Sequence, residues 1–420
     1  MMYEPDLAGV RHKANPIPLY SQIRAETPVV QIMAGDKKPA WLLTRYSDVA
    51  QALKDPRLGK NAFRILRPDE LKTQVTWVPS FLRPLACTML DQDPPDHNRL
   101  RSLVHQAFTP KRVEDLRGRV QTLTNELIAK ARRRGEFDLM ESIAAPLPMT
   151  VICEMLGVPE EDRARFRSMT NRIVTIVSPT DMFLAMPILW MFVRYVRSLI
   201  ERRRKSPGDD LLTALILAEE AGSRMSQDEL IAMVFLLLVA GHETTVNLIT
   251  SGTLALLDDP ASLERLRKEP GLLKSSVEEL LRFTTPVEIA TERYTTEEVT
   301  YGDQKIPRGQ RIFASLFAAN FDNDVFEHPE RLQLDREPNR HLAFGAGAHY
   351  CLGAPLARME GQIALHAIVN ELPGLRLAIP RSSVRWKPSL GLRSLVRLPV
   401  HCHRSSTYVG QDRHRAAVAG

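Results

Sequence analysis

The sequence predicts a mainly α-helical protein with small β-sheets, folded as one large domain. Helical apolar periodicity covers most of the 420 residues, whereas strand-like pieces are short and lie towards the two ends. Hydrophobic residues make up 44% and charged residues 25%, the composition of an ordinary globular protein. No linker rich in glycine and serine divides the chain. We therefore expect residues 1–400 to form a single domain and residues 401–420 to form a polar, basic, flexible extension.

The individual elements follow from apolar patterns and helix signals. Two short strands are predicted at 28–33 and 40–44, followed by a helix that Ser47 caps. The predicted helices after residue 90 span 97–108, 111–134, 141–156, 160–205 (broken near Pro179 and Pro187), 226–257, 271–283 and 353–371. The later strand-like pieces span 299–307, 311–314 and 375–399.

The helix over 226–257 is the most informative element. Ser226 and Glu229 have the spacing of a capping box. The helix is about 45 Å long at 1.5 Å per residue, and it is apolar nearly all round in its first half, so it should run through the middle of the protein. A polar cluster, His242 to Thr245, lies at its midpoint. Buried polar groups are costly unless they are satisfied or used, so this cluster points to a functional site.

Charge and composition exclude several classes of partner. Lys and Arg total 56 and Asp and Glu 50, and residues 381–420 alone carry eight basic residues and one acid, so the net charge of +6 lies at the C-terminal end. The sequence has no phosphate-binding glycine loop and no interleaved basic and aromatic patch, which argues against nucleic acid. Four cysteines are too few for a disulfide framework. The longest apolar run, 182–193, reaches only about 18 Å as a helix, short of a bilayer core of about 30 Å. We expect a cytoplasmic monomer with no transmembrane segment.

A loop around Cys351 carries the strongest chemical signal. Residues 344–353 read F-G-A-G-A-H-Y-C-L-G, and three glycines just before a predicted helix indicate a tight turn or a close approach to a partner. The N–H groups and the dipole of a helix N-terminus stabilise a thiolate at such a position. A buried structural cysteine is the alternative for a lone cysteine. The glycines, Phe344 and the helix start together favour a ligand site.

This loop resembles the haem-binding loop of the cytochrome P450 family, F-G-x-G-x-H-x-C-x-G, at every specified position. The resemblance implies haem b with the Cys351 thiolate as the axial, metal-binding ligand. It also implies that Phe344 shields the sulfur, that Gly345 and Gly353 let the backbone approach it, and that His349 contacts a haem propionate. The implied fold places the long central helix over the haem and the cysteine loop beneath it.

The midpoint of the long helix also matches the family. Ala240-Gly241-His242-Glu243-Thr244 resembles its mid-helix signature. The resemblance implies that Thr244 donates a hydrogen bond during oxygen activation, that Glu243 relays protons, and that Gly241 leaves room for dioxygen. The alternative for threonines in mid-helix is a hydrogen bond to a carbonyl one turn earlier.

Two charged motifs complete the resemblance. Glu279 and Arg282 match the family's E-x-x-R; their i, i+3 spacing puts them on one helix face, and the family implies a buried structural pair that Arg331 completes. His97 and Arg101, spaced i, i+4, match the family's propionate-binding pair, and Arg293 matches a third propionate contact. A solvated surface arginine is the alternative for Arg293.

The resemblance implies a monooxygenase that inserts one atom of dioxygen into an apolar organic substrate by hydroxylation or epoxidation. Electrons would come from a separate ferredoxin or flavodoxin with its reductase, since the sequence contains no iron–sulfur motif. Substrate-lining residues are expected at Ala240, Val287 and Ile289. A docking surface for the electron donor, or else scattered solubilising charge, is expected from the basic residues Arg101, Arg112, Arg336, Arg340 and Arg358.

Other activities stay open from the sequence. A haem-thiolate enzyme that uses peroxide or rearranges its substrate would need no reductase, although the pair Glu243 and Thr244 argues against it. A non-catalytic haem-binding protein would not need that pair, and His401-Cys402-His403 alone is a weak metal site. The substrate could equally be a terpenoid, a fatty acid, a steroid or a polyketide.

Overall fold

Helices dominate the computed structural model, which describes residues 4–34, 38–74, 82, 85, 88–174, 179–218 and 222–404. The α-helices are Val10–Ala14, Ile17–Glu26, Tyr46–Ala52, Ala62–Ile65, Pro68–Gln74, Asp96–Ala107, Pro110–Asp115, Arg117–Arg134, Pro146–Met155, Glu160–Val174, Pro179–Lys205, Leu211–Leu217, Gln227–Asp258, Pro260–Lys268, Leu273–Thr284, Leu316–Asn320 and Ala354–Glu371. A π-helical turn, Met140–Ala144, precedes Pro146, and a short 3-10 turn, Gly347–His349, precedes Cys351.

The strands form three small sheets, so the prediction of a mainly α-helical fold with small β-sheets is confirmed. The strands are β1 Val29–Met33, β2 Pro39–Leu43, β3 Leu58–Gly59, β4 Glu136–Asp138, β5 Arg293–Thr295, β6 Val299–Tyr301, β7 Gln304–Ile306, β8 Arg311–Ala314, β9 Arg376–Leu377 and β10 Pro399–His401. The largest sheet has the order β1-β2-β8-β5-β3, a second has the order β4-β10-β9, and β6 and β7 pair with each other.

Gln227–Asp258, the central helix, organises the helical part of the fold. The predicted capping box is present: Ser226 Oγ accepts a hydrogen bond from the Glu229 N–H, and the Glu229 carboxylate accepts one from the Ser226 N–H. The helix packs against Pro146–Met155, Pro179–Lys205, Leu273–Thr284 and Ala354–Glu371. Its length and apolar composition would also suit a membrane span, but the core helix of a soluble protein meets the same criteria, and half of its most apolar stretch is buried.

Several boundaries differ from the predictions. The helix Tyr46–Ala52 begins before Ser47 and has Arg45 at its N-cap position, so Ser47 does not cap it. Pro187 lies inside the helix Pro179–Lys205 and does not end it, and Pro146 divides the predicted helix 141–156 into a π-helical turn and an α-helix. The fold also extends past residue 400, because His401 belongs to β10 and the buried Cys402 donates its N–H to the Gly135 carbonyl at 2.7 Å. The boundary at residue 400 was therefore placed too early. Residues 405–420 of the predicted extension lie outside the described residues.

Candidate active site

The loop before the helix Ala354–Glu371 turns sharply, as its glycines predicted. Gly345 and Gly347 have φ angles of 68° and 72°, in the left-handed region that favours glycine. The Cys351 N–H donates to the Phe344 carbonyl at 2.9 Å, which closes the loop. A Cβ on Gly347 would lie 2.7 Å from the Leu53 carbonyl oxygen. The loop is therefore packed closely against the chain that follows the helix Tyr46–Ala52.

The Cys351 sulfur lies at the start of a helix. Burial raises the pKa of the thiol, while hydrogen bonds from the Gly353 and Ala354 N–H groups and the positive charge of Arg101 and Arg358 oppose that increase. A metal ion deprotonates a coordinating thiol outright, and these donors and charges would then stabilise the resulting thiolate. A Cβ on Gly353 would lie 3.9 Å from Sγ, an ordinary van der Waals contact, so the space beside the sulfur does not itself require a glycine at this position.

Charged groups fix the ring of Phe344. The Arg358 guanidinium lies over this ring, 4.5 Å from its centroid, and two of its nitrogens donate to Glu278, each at 2.7 Å. Burial opposes the ionisation of Glu278, but hydrogen bonds from Arg358 and His341 prevail and lower its pKa to about 2. Phe344 is thus held beside the cysteine by a rigid charge-assisted pair.

The predicted propionate-binding residues converge near this loop. The rings of His97 and His349 lie 4.2 Å apart, and the Arg101 Nη2 donates to the Tyr350 carbonyl at 2.8 Å. Arg293 is 4% exposed, which rules out the alternative of a solvated surface arginine. Burial and the neighbouring basic groups, His97 and Lys60 first among them, lower the pKa of His349 to about 3.

Within the described part of the chain, these basic groups lack acidic partners. Among the described residues, the buried His97 Nε2 has no hydrogen-bond partner, and neither Arg101 nor Arg293 forms an ion pair. Burying unneutralised cations together is costly, so the arrangement calls for an anion. The two carboxylates of a haem would supply this negative charge. The nearby cysteine sulfur, which accepts hydrogen bonds from N–H groups, would supply a ligand for the iron. The residues present therefore fit the group that the resemblance implies.

One face of the central helix is open at its midpoint. Leu236, Ala240 and Thr244 follow at intervals of four residues and are all partly or fully exposed, although the helix runs through the core. The Thr244 hydroxyl donates to the Ala240 carbonyl at 2.7 Å, as the alternative interpretation expected, and its oxygen still accepts hydrogen bonds. Gly241 does not face an opening: a Cβ there would lie 3.0 Å from Ile152, so this glycine permits close helix packing.

Two charged groups beside this midpoint were missed in the sequence. Lys387 Nζ donates to Glu243 Oε1 at 3.2 Å. Glu360, on the helix that follows Cys351, is 1% exposed and hydrogen-bonds with Thr245. Burial raises the pKa of Glu360 to about 8, so this carboxyl is largely protonated at neutral pH.

The two apolar positions expected to line the pocket differ in burial. Val287 is half-buried and bridges Leu392. Ile289 is 4% exposed and packs in a core cluster with Tyr20 and Phe313, contrary to the expectation that it lines the pocket. The N–H groups of Glu288 and Ile289 both donate to the Gly391 carbonyl, which breaks the alternation of side chains along this segment.

The pair Glu279 and Arg282 is fully buried, as predicted, but its third member is Arg336. Arg336 Nε donates to both Glu279 oxygens, at 3.2 and 3.1 Å. The assignment of Arg331 was wrong: its side chain is 69% exposed beside Glu330, and only its carbonyl accepts from Arg282. Because Arg336 is buried here, it also cannot belong to a docking surface.

Comparison with known proteins identifies the fold. The model of the family described as Cytochrome P450 matches residues 19–373. The chain belongs to the cytochrome P450 family. Cytochrome P450 107B1 of Saccharopolyspora erythraea is 46% identical over 91% of this chain and 93% of its own length. Mycinamicin IV hydroxylase/epoxidase of Micromonospora griseorubida is 38% identical over 91% and 94%.

A solved cytochrome P450 structure has a fold similar to that of this chain. The cytochrome P450 PksS of the Bacillus subtilis 168 bacillaene polyketide synthase has a TM-score of 0.88 and 41% identity, and the match covers 96% of this P450 and all of that chain. As a cytochrome P450 the protein is an oxidoreductase with a haem that a cysteine thiolate ligates. It is a monooxygenase that uses dioxygen, an organic substrate and electrons from redox partners.

Proposed function

We propose that Cys351 is the thiolate ligand of the haem iron and that His97, Arg101, Arg293 and His349 hold the haem propionates. The observation that carries this proposal is the position of the half-buried Cys351 sulfur, which accepts hydrogen bonds from two N–H groups at a helix N-terminus and lies within electrostatic reach of Arg101. Among the described residues, the nearby Arg101 and Arg293 form no ion pair with a carboxylate. A haem iron and its two carboxylates complement both features at once.

The haem, when bound, supplies the activation of dioxygen and the insertion of one oxygen atom into the substrate. Thr244 Oγ1 lies on the open face of the central helix and acts there as hydrogen-bond donor once it turns from the Ala240 carbonyl. Glu243 is the proton carrier of this pair, and Lys387 holds its carboxylate. Val287 and Ala240 line the substrate side of the pocket, with the half-buried Ala290 in place of Ile289.

The substrate that we propose is a bulky, mainly apolar polyketide. One relative is a cytochrome P450 of a bacillaene polyketide synthase, and another is named for the hydroxylation and epoxidation of mycinamicin IV. The open face of the central helix is apolar at Leu236 and Ala240, which suits such a substrate. Fatty acids, steroids and terpenoids are the competing classes in the test below.

The electron donor that we propose is a ferredoxin or a flavodoxin with its reductase. We further propose that the P450 is a cytoplasmic monomer that binds no nucleic acid. Acidic donors dock on basic surfaces through charge complementarity. Arg112 and Arg340 are exposed in whole or part, and Arg101 and Arg358 lie beside the cysteine loop. The proposed docking surface therefore consists of these four arginines, and it excludes Arg336, the fifth residue of the predicted surface.

Carbon monoxide difference spectra test the ligand assignment. We expect Cys351→Ala to lose the thiolate-type spectrum, because no sulfur then reaches the iron. The control is Cys153→Ala, which changes a buried cysteine of the largest hydrophobic core and should keep the spectrum. A thiolate-type spectrum that survives in Cys351→Ala overturns the assignment.

Turnover assays test the reaction and the substrate. A compound library, screened for the spectral shift that follows displacement of water from the haem iron, should favour macrocyclic polyketides over fatty acids and steroids. The best ligand is then incubated with a ferredoxin or flavodoxin system, or with hydrogen peroxide alone. Product that needs the reductase system supports the proposal, whereas full turnover with peroxide alone favours the peroxide-using alternative.

A further inference from the structure

A buried lysine, Lys60, lies among the cations of the candidate propionate site. It directly follows β3, which pairs with β5 in the register Leu58 opposite Thr295 and Gly59 opposite Tyr294. Continuing this antiparallel register places Lys60 opposite Arg293. Like charges directly opposite each other on neighbouring strands repel, so the sheet places two cations where they destabilise each other.

Both cations are withdrawn from water. Lys60 is 6% and Arg293 4% exposed. Lys60 Nζ donates to Thr291 Oγ1 at 2.5 Å and to the Glu292 carbonyl at 2.7 Å. An ammonium group has three donors, so one N–H of Lys60 remains for a further acceptor. Burial, and then the charge of Arg293, lower the pKa of Lys60 to about 7.

The carboxylates around Lys60 are already engaged. Asp93 accepts from the backbone N–H groups of Lys60 and Asn61, at 2.8 and 2.9 Å. Glu292 accepts from Arg311 at 2.6 Å, and Asp91 accepts from Thr88 at 2.7 Å. Among the described residues none of these carboxylates forms an ion pair with the Lys60 ammonium. The site thus presents one more unneutralised cation than the family motifs account for.

We propose that Lys60 binds a haem propionate and, by its positive charge, makes the haem iron easier to reduce. The proposal rests on the proposed haem site and adds to it a residue that no motif assigns. Reduction adds one electron, donated by the redox partner, to the haem. A nearby cation stabilises the added negative charge in a poorly solvated site. Lys60 is therefore a cofactor-binding residue and not a catalytic one.

The midpoint potential of the holoenzyme tests this assignment. We expect Lys60→Met to favour the oxidised form by about three- to tenfold, which is about 30–59 mV to the negative for a one-electron couple. Lys60→Arg, which keeps the charge, should stay near the wild type. The matched control is Lys305→Met, which removes the same charge from the exposed strand β7. Each variant is first checked for its haem content and its carbon monoxide spectrum.

The outcomes separate this proposal from the one on which it rests. A wild-type protein without the thiolate-type spectrum overturns the proposed haem site itself. A Lys60→Met variant with full haem and an unchanged potential overturns the role of Lys60 alone. If Lys60→Met does not retain haem, Lys60→Gln is measured in its place. Loss of haem in both neutral variants but not in Lys60→Arg supports the proposal, whereas loss in all three contradicts it.

Discussion

Lys387 Nζ donates to Glu243 Oε1 at 3.2 Å and ties the midpoint of the central helix to residues 385–396. A second contact lies one helical turn further along, where Asn247 Nδ2 donates to Ser394 Oγ at 2.7 Å. The same segment reaches the pocket wall, since Leu392 bridges Val287. The proposed proton carrier and the proposed substrate wall are thus joined by one short piece of chain.

Removing the charge of Lys387 should impair proton transfer by Glu243. In Lys387→Met the carboxylate loses its partner and its fixed position, and we expect the product formed per electron pair to fall by about two- to tenfold, a small part of what general acid–base catalysis contributes. Product and reductant consumption are measured together. Haem content and substrate affinity should stay near the wild type.

Arg385 supplies the control for Lys387. It lies two residues earlier in the same segment, and it is exposed. Arg385→Met removes the same charge without touching Glu243, so its coupling should equal that of the wild type. Equal losses in Arg385→Met and Lys387→Met would show that net charge, and not the ion pair, controls the coupling.

The buried Arg336 should contribute far more stability than Arg331. Arg336→Ala leaves the buried Glu279 paired with Arg282, but it removes the charge-assisted hydrogen bonds from Arg336 Nε to both Glu279 oxygens. Hydrogen bonds to charged groups contribute about 1.5–3 kcal/mol, and we expect a loss of stability of that order. Arg331→Ala removes a side chain that is 69% exposed, and it should leave the denaturant midpoint of the holoenzyme nearly unchanged. Equal midpoints for the two variants would contradict the reassignment.

The same network shows how far the sequence could predict this site. Glu279 and Arg282 are three residues apart on one helix, so local spacing identified the pair. Arg336 is 57 residues away from Glu279, in a segment without regular periodicity, where no local pattern distinguishes it from Arg331. Helices with caps and apolar faces were predicted well because their signals are also local.

Lys60, Lys387 and Glu360 were missed for the same physical reason. Each acquires its significance from a contact distant in sequence: Lys60 with Thr291, Lys387 with Glu243 and Glu360 with Thr245. A lysine or glutamate in isolation is usually a solvated surface residue. Only the fold reveals these contacts and the burial of Lys60 and Glu360, whereas the cysteine loop carries a contiguous motif.

Glu360 should make the stability of the protein depend on pH. Its carboxyl has a pKa of about 8 in the folded protein, raised by burial above the ordinary value of 4.5. Between pH 4.5 and pH 8 the folded state therefore holds a proton that the unfolded state releases. The stability that the neutral carboxyl allows is fully present below pH 4.5 and is lost as the pH rises through 8. Glu360→Gln has a neutral side chain at every pH. The difference between its unfolding midpoint and that of the wild type should therefore increase from pH 6 to pH 9.

The expected gain for Glu360→Gln at pH 9 is on the order of 1–3 kcal/mol, since one pKa unit corresponds to about 1.4 kcal/mol and burial effects are partly relieved by relaxation. Glu371→Gln is the control, because it changes a carboxylate that is partly exposed at the end of the same helix. A difference from the wild type that does not change between pH 6 and pH 9 would refute the protonated state of Glu360.

Gly347 should be indispensable to the cysteine loop. An alanine there would adopt a φ near 72° and bring its Cβ to 2.7 Å from the Leu53 carbonyl oxygen, a strain of about 1–3 kcal/mol. We expect Gly347→Ala to lower the unfolding midpoint and to speed the loss of the thiolate-type carbon monoxide spectrum on warming. In Gly118→Ala, where no atom lies within 4 Å of the new Cβ, the helix Arg117–Arg134 should instead gain stability. A Gly347→Ala protein as stable as Gly118→Ala would mean that the loop does not need the left-handed turn.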